Sequence, residues 1–251
     1  MIQPEISRPH FHAAAHYATA KFALCSPDLY AAESLTDFAE LQSLCAQLPI
    51  DPLPGRRRRA MSRFLFHADG TVVPMGASTY QQDYAGEALG PRELLPISDE
   101  ILRLRSFQEI FQVQATLAQT CHPDLFGAPV RCTVHLVTYC PAGLHASFSH
   151  PVAGHVDRED HVGLVCLGSS DNLSGGANYL YAPGMRTPSV QLVLGTLESI
   201  LLGPGCMHGV SPMSSSNHLP AMRRIGLFTF EAATGPRKAQ YEAAQVGQPA
   251  A

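Results

Sequence analysis

No stretch of this chain approaches the roughly 18 consecutive apolar residues of a membrane-spanning helix. No apolar segment follows basic residues near its start, so a secretory leader is not expected. Its seven cysteines, Cys25, Cys45, Cys121, Cys132, Cys140, Cys166 and Cys206, contain no C-x-x-C pair, and their odd number does not suit a disulfide framework. Positive charge is scarce as well: 17 Lys and Arg stand against 21 Asp and Glu, a formal net charge of −4. That balance excludes nucleic acid and an anionic membrane as expected partners. The run Arg56–Arg59 is the local exception. Short and isolated, it reads as a solvated face or as internal pairing with carboxylates. These absences place the protein in a reducing compartment, the cytoplasm, where free Cys in apolar strands behaves as a small hydrophobe. Cys206, two residues before His208, is the one to watch for oxidation.

What is present is ordinary globular material, with 45% hydrophobic and 15% charged residues in 251. That length can bury a large core as a single catalytic domain. Residues 1–125 read as a mostly helical buttress with a β-hairpin, 126–232 as a strand-rich core, and 233–251 as a flexible tail. Leu35, Phe38, Leu41, Leu44 and Leu48 recur at helical spacing between a Ser34 cap and Pro49. Arg63–Phe66 and Gly70–Val73 predict a hairpin. A second helix is predicted from Ser98 to about Thr120, with Asp99 and Glu100 at the positive end of its dipole. Its apolar face is Ile101, Leu104, Phe107, Phe111 and Leu117. From Arg131 onward the period becomes two, with further strands expected at 161–168, 177–182, 189–194, 197–202 and 222–231. Short strands between Gly-, Pro- and Ser-rich turns argue for a sandwich or jelly roll. The Ser-rich segment from Ser211 to Pro220 reads as a flexible loop, either a lid or a surface connection.

The chemistry concentrates in a sparse polar set: His155-Val156-Asp157, then His208, then Arg223. In an extended H-x-D the first and third side chains project to one face, so both can reach one ion. Two imidazoles and a carboxylate are the facial set of non-haem Fe(II) oxygenases, which leave other coordination positions open. His208 follows the apolar run Ser199–Leu202 and the turn Gly203-Pro204-Gly205. On the next strand Arg223, Ile225, Leu227 and Thr229 share a face. A guanidinium there can hold a carboxylate in a two-pronged pair that Lys could not reproduce. The bland alternative makes His155 and Asp157 a solvated loop pair and His208 a strand-end residue. The ordered set of motif, strands, second His and Arg is what favours the metal.

Around these residues the chain resembles the bacterial Fe(II)/2-oxoglutarate-dependent dioxygenases that hydroxylate free L-amino acids, typified by isoleucine and leucine hydroxylases. The likeness runs from about Arg131 to Phe230 and more faintly back to Arg56. It is carried by Gly154-His155-Val156-Asp157 with Asp160, by Leu173-Ser174-Gly175-Gly176-Ala177-Asn178, by Met207-His208-Gly209-Val210-Ser211-Pro212 and by Arg223–Phe230. Upstream, Arg57-Arg58-Arg59 and Ser62-Arg63-Phe64 are similar to an Arg-rich segment that precedes the family's core. The resemblance implies a mainly β fold with buttressing helices (α+β), a double-stranded β-helix or cupin-like jelly roll. It implies His155, Asp157 and His208 as iron ligands, with Arg223 on the far carboxylate of 2-oxoglutarate. It further implies O2 as oxidant, ascorbate as support, release of succinate and CO2, and hydroxylation of an unactivated C–H bond. The expected partner is a small-molecule amino acid or derivative, and a homodimer is compatible with this reading.

Two departures fall where a substrate is read. Arg158 stands where the family usually has Gly after the Asp ligand, and Ala177-Asn178 follow the paired glycines where an acid is usual. Arg158 is a candidate for a substrate carboxylate or acyl group, with an exposed loop Arg as the alternative. Asp160, His135, Tyr139 and Asn178 are further pocket candidates, His135 having a satisfied core histidine as its alternative. The rival readings are the same chemistry on an N-acylated, carrier-bound or natural-product derivative, a non-catalytic cupin-like metal module, and a zinc hydrolase. Arg223 speaks against a mere metal binder, which needs no co-substrate anchor.

Overall fold

The computed structural model of the protein describes residues 17–52, 55–75, 79–84, 87–148, 154–157 and 159–233, with backbone alone for 79–84 and 87–92. In chain order its strands are β1 (Phe22–Cys25), β2 (Arg57–Phe66), β3 (Val72–Met75), β4 (Thr79–Tyr84), β5 (Glu87–Glu93), β6 (Val130–Tyr139), β7 (His155–Val156) and β8 (His161–Ser169). There follow β9 (Leu173–Gly175), β10 (Asn178–Leu180), β11 (Val190–Leu192), β12 (Ser199–Leu202), β13 (Met207–Val210), β14 (Met213–Ser215) and β15 (Arg223–Ala232). After helical residues 17–20, the α-helices among the described residues are α1 (Phe38–Ala46), α2 (Asp99–Arg103) and α3 (Arg105–Cys121).

Seven strands form one antiparallel sheet in the order β1-β12-β8-β15-β6-β2-β3, and four short strands form a second, β11-β10-β13-β7. At the centre of the large sheet β2, β6 and β15 match over ten residues each, from the row Arg57–Tyr139–Arg223 to the row Phe66–Val130–Ala232. The two-residue period of β6 separates two environments. Cys132, Val134 and Leu136 enter a core shared with the helices, which includes Leu41, Ile101, Phe107, Ile110 and Leu117. Val137 and Tyr139 point the other way, toward the second sheet, among Val162, Leu180, Ile200 and Ile225. Each fully buried side chain of this size contributes about 1.5–3 kcal/mol. The layered result is a jelly roll with helices covering the outer face of its larger sheet.

Three expectations change. The expected boundary at residue 125 is not a spatial one, because β1, β2 and β3 belong to the first half of the chain yet complete the large sheet at both of its ends. The first helix begins at Phe38, and Ser34 lies in a separate 3-10 turn, Ala32–Ser34. The second helix is broken at Leu104, whose ψ of 135° is extended. No proline or glycine marks that break. The freed amides of Arg105 and Ser106 donate to the Asp37 carboxylate at 2.8 and 2.9 Å, so a cap supplied from the start of α1 replaces continuity of the helix.

The expected hairpin forms as β2 and β3, and the strands predicted after Arg131 are all present. The Ser211–Pro220 segment is fastened. Its β14 pairs with β9, and the Asn172 amide donates to Asn217 Oδ1 at 2.8 Å and to the carbonyls of Leu219 and Pro220 at 3.3 Å. It is a tied surface connection, and the lid reading is withdrawn. Among the described residues no helix is long and apolar enough to cross a membrane. The expected tail lies outside the described residues from 234 onward.

Candidate active site

Pairing of β7 with β13 places His155 directly across from His208. Their rings lie 4.3 Å apart between centroids. Asp157 follows one residue beyond β7, and the strand period returns its carboxylate to the face of His155. His155 Nε2 is 3.5 Å from Asp157 Oδ1, and His208 Nε2 is 3.4 Å from Oδ2. One donor atom from each residue lies within 4.8 Å of the other two. These separations are long for hydrogen bonds but suit a shared ion, since ligand atoms at bonds of about 2.1 Å sit roughly 3 Å apart when cis. Behind the set, His208 Nδ1 lies 3.3 Å from the Cys206 carbonyl. A carbonyl only accepts, so that contact puts the proton on Nδ1 and leaves the Nε2 lone pair facing the cluster. Cys206 itself is buried, and burial, with Asp157 adding to it, pushes its thiol up to about 11. Burial of that kind disfavours the thiolate form.

The same cavity is lined on its other wall by Arg57, Arg59, Tyr139 and Arg223 from the large sheet. Arg223 is 1% exposed. One of its Nη atoms donates to the Gly176 carbonyl, while its Nε is buried with no hydrogen-bond partner among the described residues. A guanidinium carries five donors, and burying one without an anion is costly. The cradle fits a carboxylate ligand. The paired glycines explain themselves here. Gly175 and Gly176 have φ of +85° and +72°, and a Cβ at Gly176 would strike the Arg223 guanidinium. That segment shapes the floor under Arg223, a function that needs two glycines and does not need an acid after them.

Of the other expected pocket residues, Tyr139 and Asn178 line the cavity. Asn178 also reaches the Leu192 carbonyl at 3.4 Å. His135 stands behind the lining, its Nδ1 accepting from Arg59 Nε and Nη2 at 3.2 and 3.0 Å. Asp160 is corrected: its carboxylate accepts from Ala232 N at 3.1 Å, at the far end of β15 from Arg223, where it closes a strand. Arg158 lies outside the described residues.

Sequence reasoning missed Glu159, Val210, Arg57 and Arg59 as lining residues. Alternation in β2 was the available signal, since it sends Arg57 and Arg59 to one face and Arg58 to the other. Arg58 bonds the Leu48 carbonyl at 2.8 Å, whereas Arg57 Nε meets Asp51 Oδ2 at 2.7 Å. The expected internal carboxylate pairing is therefore present.

A jelly roll whose cavity holds a His-Asp-His cluster on one wall and buried guanidinium groups on the other defines a non-haem iron oxygenase class. The chain matches the model of the 2OG-Fe dioxygenases over residues 42–229, and it belongs to that family. It is accordingly an enzyme that depends on Fe(II) and 2-oxoglutarate. The 3(1)-hydroxy-L-isoleucine 4-dioxygenase of Pantoea ananatis (strain AJ13355) is 24% identical over 204 residues, covering 78% of this chain and 82% of that protein. The crystal structure of IDO from Bacillus thuringiensis is similar with a TM-score of 0.80 at 21% identity, covering 93% of this chain and 100% of the other. A bsmA homolog from Methylobium petroleophilum PM1 is similar with a TM-score of 0.75 at 18% identity, covering 94% and 99%. The two solved structures share the fold.

Proposed function

We propose that this enzyme hydroxylates an unactivated C–H bond of a free L-amino acid, releasing succinate and CO2. His155, Asp157 and His208 hold Fe(II), and Arg223 holds the far carboxylate of 2-oxoglutarate. The observation that carries the reading is the placement of Arg223: a nearly inaccessible cation facing the same cavity as three convergent metal donors. When bound, iron with 2-oxoglutarate supplies activation of O2 coupled to decarboxylation of the co-substrate, and ascorbate supports it by keeping the metal reduced. The chain's own groups orient and protect. Arg223 fixes the direction of the co-substrate, and the Cys206 carbonyl fixes the tautomer of His208. Val137, Ile225 and Leu227 give the cavity an apolar wall that keeps the reacting centre dry. Support for an amino-acid substrate comes from the 24% identical relative, which acts on a hydroxy-L-isoleucine.

The test is succinate formation by anaerobically purified protein given Fe(II), ascorbate, 2-oxoglutarate and O2, with and without pooled L-amino acids. Succinate stimulated by the pool and lost in His155→Ala supports the proposal. Iron and 2-oxoglutarate binding without stimulation by any free amino acid ends it.

A further inference from the structure

The cavity contains more buried positive charge than the co-substrate explains. Arg57 and Arg223 stand in one row of the large sheet, separated by Tyr139, so their backbones are two strand spacings apart, roughly 10 Å. Arg57 is 5% exposed and lines the cavity. Its Nε is committed to Asp51, which is itself buried and lies 4.0 Å from Arg59 Nη1. Arg59 is engaged further by His135 Nδ1, through both Nε and Nη2. Arg57 Nη2, by contrast, is buried with no hydrogen-bond partner among the described residues. Asp51 thus holds one edge of the Arg57 fork and leaves a second, buried donor open on a residue that lines the cavity. A fixed, desolvated guanidinium with an open donor is matched by an anionic oxygen and is poorly matched by an ester or amide carbonyl.

2-Oxoglutarate brings two carboxylates, one for the metal and one for Arg223, which leaves Arg57 for another molecule. We infer that Arg57, positioned by Asp51, anchors the carboxylate of the primary substrate, which must therefore arrive as a free acid and not as a carrier-bound thioester or an ester. This rests on the proposed dioxygenase reading and narrows its substrate class. Free and N-acylated amino acids both satisfy it, because each keeps the carboxylate.

The experiment compares L-isoleucine, L-leucine, L-valine and L-methionine, as one pool, with their N-acetyl derivatives and with their carboxamides. Succinate formation is measured for wild type, Arg57→Met and Arg57→Lys. Calorimetric binding to Mn(II)-loaded protein, which does not turn over, gives affinities for acid and for 2-oxoglutarate separately. The acids are expected to stimulate wild type and the carboxamides to fail. Losing a buried charge partner is worth 30-fold or more, so Arg57→Met should weaken acid binding by at least about 30-fold and leave 2-oxoglutarate within about twofold. Arg57→Lys, which keeps the charge and loses the fork, should fall between, and it carries the test if Arg57→Met does not fold.

Equal stimulation by carboxamides, unchanged acid binding in both variants, or selective loss of 2-oxoglutarate binding would each overturn the assignment. Stimulation by N-acetyl acids alone would sink the free-amino-acid reading while leaving Arg57 in place. Stimulation by none of the three classes would overturn both.

Discussion

The two walls of the cavity are built differently. The metal-facing wall comes from β7 and β13, strands of two and four residues, and its three donor side chains remain 14–23% exposed. The opposite wall comes from β2, β6 and β15, ten residues each and locked in register, and it buries Arg57 and Arg223 at 5% and 1%. Short strands with accessible donors suit an ion that must enter and leave positions open for exchange. Long strands suit guanidinium groups that must stay fixed while desolvated, because their value to a ligand depends on not having to reorganise. The exchangeable part of the site and its rigid part are thus assigned to different sheets.

That contrast can be broken first at Arg223. Arg223→Ala should raise the half-saturating 2-oxoglutarate concentration by ~100-fold or more, while metal content measured by mass spectrometry stays at the wild-type level. Unchanged 2-oxoglutarate dependence would separate Arg223 from the co-substrate altogether. A milder perturbation acts on the floor beneath it. Gly176→Ala should cost about 1–2 kcal/mol of stability, because φ is +72° there. Its Cβ also displaces the Arg223 guanidinium, so 2-oxoglutarate affinity should fall by about 10-fold with substrate affinity less affected. Thermal melts and co-substrate titration of the same preparation check both parts, and a variant that melts early yet binds 2-oxoglutarate normally would limit Gly176 to folding.

A last test lies outside the cavity, at the start of β8, and bears on stability alone. Tyr17 Oη lies 3.1 Å from the Leu202 carbonyl, 3.0 Å from His161 Nδ1 and 2.7 Å from His122 Nε2. With the Tyr17 proton on Leu202, both imidazoles donate to its oxygen. The other nitrogen of His161 is buried with no hydrogen-bond partner among the described residues. Burial, with the nearby His122 adding to it, lowers the His161 pKa to about 3. The unfolded chain takes up this proton below its ordinary value near 6.5, and the folded protein does not until about 3. Stability should therefore decline as pH falls through that window, by up to about 1.4 kcal/mol per pH unit from this group. Urea midpoints measured from pH 7 to 4 should flatten in His161→Gln, and parallel curves for the two proteins would exclude His161 as the source.

Much of this was legible in one dimension. The H-x-D spacing, the shared face of Arg223, Ile225, Leu227 and Thr229, and the strand series after Arg131 all follow from a two-residue period. The chain obeys it in β6, β7 and β15. The Gly175-Gly176 pair was visible as a motif, but its reason was not, because the atom it makes room for belongs to Arg223. The break at Leu104 was equally hidden, since its cap comes from Asp37 and no local residue type announces it. Asp160 misled because an acid close to a metal motif in sequence was read as close in space, whereas it sits just before β8, beside the far end of β15.

The sequence by itself determined which side chains share a face and which residue types carry the chemistry, since backbone periodicity and side-chain donor sets are local properties. Only the tertiary structure decided that the Arg-rich strand lies beside β6, so that Arg57 and Arg223 face one cavity while Arg58 turns away to a backbone carbonyl. The physical reason is that strand pairing joins segments distant in the chain, and the register of that pairing, set by burial of a whole face, is what turns Arg57 and Arg59 toward the cavity and Arg58 away from it.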